Sequence, residues 1–129
     1  MHNKIEEIFI NKYVVKEKRK RYLEFISKEK TRSKFTQELY HFKDLDWKLF
    51  REIPGSQNER TEILSKVIQN KNIQNCHVIS ANLDIDGTNI PYPDAIVSCV
   101  GEEGTILIFG NADVVYYEAE PFDGRFISI

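Results

Sequence analysis

The chain predicts an α+β domain, with N-terminal helices packed on one face of a four-stranded, mostly antiparallel sheet. Three observations predict it. Apolar residues recur at helical steps through the first half, where neither Gly nor Pro occurs before Pro54. The second half turns to short runs rich in β-branched and aromatic residues, such as TILIF and VVYYEA. Turn-forming segments, GNAD and PFDG, separate those runs as hairpin connections would.

The elements follow in order. Ile5, Ile8, Phe9 and Tyr13 form one apolar helix face. KEKRKR at 16–21 interrupts that stripe, and Tyr22, Leu23 and Ile26 restore it. One long helix with a solvated middle satisfies this pattern, and so do two helices with a bend near Val14–Lys16. Thr31 or Ser33 suits the N-cap of a further helix carrying Phe35, Leu39 and Phe42. DLDWKLF at 44–50 reads as a helical turn docking Leu45, Trp47 and Phe50 into the core. After the loop IPGSQN, Ser56 and Glu59 form a capping-box pattern that opens a helix to about Asn70. Ile63, Leu64, Val67 and Ile68 are its inward positions.

The sheet half reads β-α-β-β-β. CHVIS at 76–80 is the first strand, and PDAIVSCVG at 93–101 is a helix with Pro93 in its first turn and Gly101 as its stop. TILIF at 105–109, VVYYEA at 114–119 and RFISI at 125–129 complete the sheet, and the strand–helix–strand unit suits a right-handed crossover. Residues 1–129 make a single domain, with a helical half over about 1–71 and a sheet half over about 76–129.

With 41% hydrophobic and 29% charged residues the composition is that of a folded domain, not a disordered chain. No wholly apolar run exceeds four residues, which excludes a membrane helix, and Glu6 and Glu7 interrupt any apolar signal region. A cytoplasmic protein with two buried thiols, Cys76 and Cys99, is the expectation. Net charge is −2, yet residues 1–51 hold 14 Lys/Arg against 8 Asp/Glu, and residues 52–129 hold 4 against 12. Such polarity gives a basic end and an acidic end, which attract oppositely charged partners or one another.

One string raises chemistry. Asp84–Thr88, DIDGT, resembles the opening motif of the haloacid-dehalogenase-like phosphotransferases. The resemblance implies a nucleophilic Asp84, an acid/base Asp86 and a magnesium ion. The surrounding residues withhold the remainder. Ser80 and Asn82 do not make a buried strand end, no Lys follows Asp86, and only 43 residues remain. A calcium loop fails too, since glycine stands fourth and Ala95 occupies the twelfth position. A tight turn explains the string with less, because Asp-Gly supplies the positive φ that such turns need.

Other candidates are weaker. Nine of the 19 residues from Lys16 to Lys34 are Lys or Arg. Lys18, Arg19, Lys20, Arg21, Lys28, Lys30, Arg32 and Lys34 are the candidate partner-binding residues, facing an acidic protein or nucleic acid. Tyr13, Tyr22 and Phe25 would stack bases if exposed, although the two tyrosines lie on the apolar stripe. His41, Asp44 and Asp46 offer a metal or acid/base set, but Asp44 follows His41 by three residues on a segment that is ending and Asp46 points elsewhere, so a helix end followed by an Asp cap is the plainer reading. His77 stands beside Val78 facing solvent or a helix, and His2 lies at the terminus. Cys99 lies in an apolar helix without a neighbouring base, so no nucleophile is assigned to it. Glu102, Glu103, Asp113, Glu118, Glu120 and Asp123 would form the solvent face of the C-terminal strands.

The expected function is a non-catalytic protein-interaction module, such as an immunity or inhibitor protein or an assembly subunit, with no cofactor, no metal and no catalytic residue assigned. A nucleic-acid binder using the basic helices is the alternative. A metal-dependent hydrolase using His41/Asp44 or Asp84/Asp86 is the third.

Overall fold

The computed structural model describes residues 3–128. The notional roles of His2 and of strand residue Ile129 therefore lie outside the described residues. Helices α1 (Lys4–Tyr13), α2 (Arg19–Ser27) and α3 (Glu29–Thr36) come first, followed by strand β1 (Phe50–Glu52) and helix α4 (Gln57–Gln69). Then come β2 (Asn75–Ser80), β3 (Asn89–Pro91), α5 (Tyr92–Cys99), β4 (Thr105–Phe109), β5 (Val114–Glu118) and β6 (Arg125–Ser128). The strands form one six-stranded antiparallel sheet in the order β1-β6-β5-β4-β2-β3.

Helices cover both faces of this sheet, not one as expected. Ile79, Ile106, Ile108, Val115 and Tyr117 meet the N-terminal helices through Phe9, Ile10, Tyr22 and Phe35. Val78, Leu107, Phe109, Val114 and Tyr116 point the other way, onto Leu64 and Ile68 of α4 and Ala95, Ile96 and Cys99 of α5. Two-sided burial is why β4 and β5 are apolar at almost every position instead of at alternate ones.

The four expected strands are present as β2, β4, β5 and β6. The expectation of four strands falls short by the two edges, β1 and β3, which are three residues each and too short to show a period. Pro91 ends β3 on the sheet margin, where a missing N–H costs no ladder bond. β2 and β4 are antiparallel neighbours, so no right-handed parallel crossover forms between them.

The N-terminal helices break at Val14 and Val15 for a tertiary reason. Val14 bridges Leu45, the Val15 N–H donates to Asp44 O at 2.8 Å, and the Asp46 N–H donates to Tyr13 O at 2.7 Å. A 3-10 turn over Lys16–Lys18 then leads into α2. α3 starts at Glu29, earlier than a Thr31 or Ser33 cap requires. The Thr31 hydroxyl instead donates to Phe25 O at 2.9 Å and ties α3 to α2. The Ser56–Glu59 capping box forms as expected, and Pro93 lies in the first turn of α5. Among the described residues no helix is long and apolar enough to cross a membrane.

Candidate functional site

A large concavity lies where the helical layer stops short of β5 and β6. A 3-10 turn over Gln37–His41 carries the chain to the sheet, Phe42–Asp46 crosses it, and a second 3-10 turn over Trp47–Leu49 leads into β1. Two bonds fix this path. The Tyr117 hydroxyl donates to Leu39 O at 2.5 Å and accepts the Phe42 N–H at 2.9 Å. Burial pushes the Tyr117 phenol well above its ordinary value, so it stays a donor.

The result is a cleft of about 740 Å³, walled by Phe42, Trp47, Tyr117 and Phe126. Trp47 and Phe126 meet edge-on at 4.8 Å between centroids, and Tyr117 and Phe126 stack at 6.2 Å. Trp47 was expected in the core. It remains 40% exposed, with its indole N–H donating to Lys43 O at 3.1 Å. Leu45 and Phe50 are buried as expected.

The rim of the cleft is polar. His41 Nδ1 lies 2.5 Å from an Asp123 carboxylate oxygen, and His41 Nε2 lies 3.2 Å from Glu120. A main-chain bond from the Glu120 N–H to Tyr40 O at 3.1 Å holds the two segments together. Among the described residues, His41, Glu120 and Asp123 are the one group of three metal-type ligands, with their donor atoms within 4.8 Å of one another. These donor types suit a divalent transition metal. Both ring nitrogens already face carboxylates, so an ion would have to separate His41 from at least one of them.

Sequence spacing had suggested other partners for His41. Asp44 instead accepts a short hydrogen bond from the Tyr22 hydroxyl, and Asp46 precedes the Trp47 turn. Burial and the neighbouring Asp44 both push the Tyr22 phenol up.

The DIDGT string is a turn. Asp84 is exposed, Gly87 has φ of +79°, and the Gly87 N–H returns to Val78 O at 2.8 Å. Asp86 belongs to a half-buried charge network. Arg32 donates Nη1 and Nη2 to Glu6 at 2.7 Å each, and Nε and Nη2 to Asp86 at 2.7 and 3.0 Å. His77, expected beside solvent or a helix, is buried against α1 with Nε2 2.6 Å from Glu6. Burial pushes the Glu6 carboxyl up, but Arg32 and His77 outweigh it and hold the group below its ordinary value. A second network surrounds Glu118, which was expected on the solvent face and is buried instead. It accepts from the Tyr116 hydroxyl at 2.6 Å, the Gly101 N–H at 2.8 Å and Arg125 at 3.0 Å, with Arg60 at 3.7 Å.

The basic residues divide. Arg32 is committed to Glu6 and Asp86, and Arg19 donates to Val14 O at 2.9 Å. Arg21 and Lys34 lie over the ring of Phe25, at 5.4 and 5.9 Å. Lys20, Lys28 and Lys30 are exposed, and Lys18 is half-buried. Tyr13 and Tyr22 are core residues, so neither offers a ring for base stacking. Cys76 and Cys99 are buried free thiols whose ionisation burial pushes up.

The aromatic cleft was not found from sequence. Its one signal was Trp47 next to an aspartate-rich segment, which read as a core anchor. No protein-family model, curated protein or solved structure matches the chain.

Proposed function

We propose that this protein is a non-catalytic protein-interaction module, an immunity or inhibitor protein or a subunit of a larger assembly, that docks through the aromatic cleft. The observation that carries this reading is the aromatic wall of exposed Trp47 and half-buried Phe126 beside a charged rim. Tyr40 and Phe122, each next to a rim residue, are also exposed, Phe122 at 96%. Clustered exposed aromatics mark protein contacts, because their burial against a partner supplies most of the binding energy of such sites. Several sequence candidates for chemistry are engaged elsewhere: Asp86 by Arg32, Asp44 by Tyr22, and both thiols by the core.

The test is affinity purification from the native cell, followed by size-exclusion chromatography of the isolated complex. Wild type and Lys20→Glu/Lys30→Glu should retain the same partner, and Trp47→Ala should release it. Retention by Trp47→Ala, with release by the lysine variant, would move the interface to the helices.

A second reading, nucleic-acid binding, is favoured by one observation, the exposed Lys20, Lys28 and Lys30 on and between α2 and α3. It requires retention on a polyanion that falls steeply with salt and disappears on charge reversal at Lys20 and Arg21.

A further inference from the structure

The carboxylates at the cleft already face a ring of the chain's own, and this defines what else the cleft would take. The His41 ring lies with one nitrogen towards Asp123 and the other towards Glu120. It is a flat group whose two ring nitrogens face two carboxylates at the mouth of an aromatic cleft. A third carboxylate, Glu52, lies over the same turn, since a side chain at Gly124 would meet its oxygen at 2.7 Å. Lys43 is the opposing charge along the wall. The loop from Glu120 to Asp123 and the neighbouring Glu52 thus make this end of the cleft acidic, in the half of the chain that holds 12 Asp/Glu against 4 Lys/Arg.

Building on the interaction-module reading, we propose that the cleft receives an arginine side chain of a basic partner protein. Its guanidinium binds Glu120 and Asp123 in place of the His41 ring, and its plane and stem lie against Trp47 and Phe126. Three pieces of chemistry select arginine. Its guanidinium is planar, as the ring it replaces is, and presents paired N–H donors, whereas a lysine ammonium is a compact, strongly hydrated point charge. Carboxylates accept the guanidinium fork through two parallel bonds. Indole is the strongest aromatic partner for a cation, and Trp47 keeps its exposed surface on this cleft.

Trp47 is the single tryptophan of the chain, so its fluorescence reports directly on the site. The experiment titrates the full chain with acetylated, amidated hexa-arginine, hexa-lysine and hexa-citrulline at low salt. Saturable change with hexa-arginine is expected, with hexa-lysine about tenfold weaker and uncharged hexa-citrulline inactive. Glu120→Gln/Asp123→Asn should remove the response. His41→Ala should strengthen it, because the carboxylates lose their internal partner. That increase separates competition from a merely structural role, in which the variant would weaken binding. Circular dichroism confirms the fold of each variant, and the comparison of the three peptides on wild type stands without any variant. Equal response to arginine and lysine, or none to arginine, overturns the proposal. If hexa-arginine fails while Trp47→Ala still releases the cellular partner, the arginine assignment falls and the module reading stands. If Trp47→Ala releases nothing, that reading falls as well.

Discussion

Replacing Arg32 by Met should be the most damaging single change outside the apolar core. Met keeps most of the stem length and removes all donors. Four hydrogen bonds to two carboxylates disappear, three of them at 2.7 Å, and the Glu6 side chain left behind is only 2% exposed. Removing Arg32 leaves the buried Glu6 carboxylate with the His77 ring as its remaining side-chain partner, and breaking a buried pair in this way costs about 3–5 kcal/mol. In a domain of this size that lowers the melting temperature by roughly 10–20 °C. Lys30→Met, on the exposed side of the same helix, is the control and should change little.

The deficit should also depend on pH. In wild type the Glu6 carboxyl is held below its ordinary value. Its contribution is therefore complete above the unfolded value of about 4.3 and is lost as pH falls through the lower folded value. Without Arg32, burial acts with less opposition and raises that carboxyl, so Glu6 takes a proton at higher pH than in wild type. The gap between variant and wild type should be widest near pH 7 and narrow towards pH 4. Urea denaturation at several pH values measures it. A deficit below about 1 kcal/mol at pH 7, the range of exposed ion pairs, would refute the reasoning, as would a deficit that ignores pH.

Four further outcomes are expected. Glu118→Gln should cost about 2–4 kcal/mol in chemical denaturation, since Arg60 and Arg125 converge on that one buried carboxylate. Ser56→Ala should cost about 1 kcal/mol by removing the α4 capping box, read from the same curves. Cys76 and Cys99 should resist a thiol reagent in the native state and react at the rate of opening, since both are buried and their ionisation is suppressed; rapid native labelling would contradict this. Asp84→Asn should leave the melting temperature and partner binding unchanged, because Asp84 is an exposed turn residue; loss of either would return the DIDGT string to the functional site.

Long elements were legible because their signals are local. The Ser56–Glu59 box, Pro93 at the start of α5 and the turn-flanked β4, β5 and β6 each depend on residues only a few positions apart. Gly87 behaves as the Asp-Gly pair predicts. The two-sided covering of the sheet is also written in the chain, in the unbroken apolar runs of β4 and β5, where a sheet covered on one face would alternate.

The site was not legible, because its parts are brought together from distant positions. His41 is 82 residues from Asp123, Arg32 is 54 from Asp86, and Glu6 is 71 from His77. A local motif can say that Asp86 follows a turn, and it cannot say that an arginine from α3 will take that carboxylate. The residues alone determined the α+β class, the four longer strands, the burial of the thiols and the charge polarity, all of which follow from short-range pattern and composition. The fold alone decided which charges neutralise one another and that Trp47 stays half outside. Both depend on where β5, β6 and the segment after α3 meet, and that meeting is a long-range outcome of packing two helical layers on one sheet.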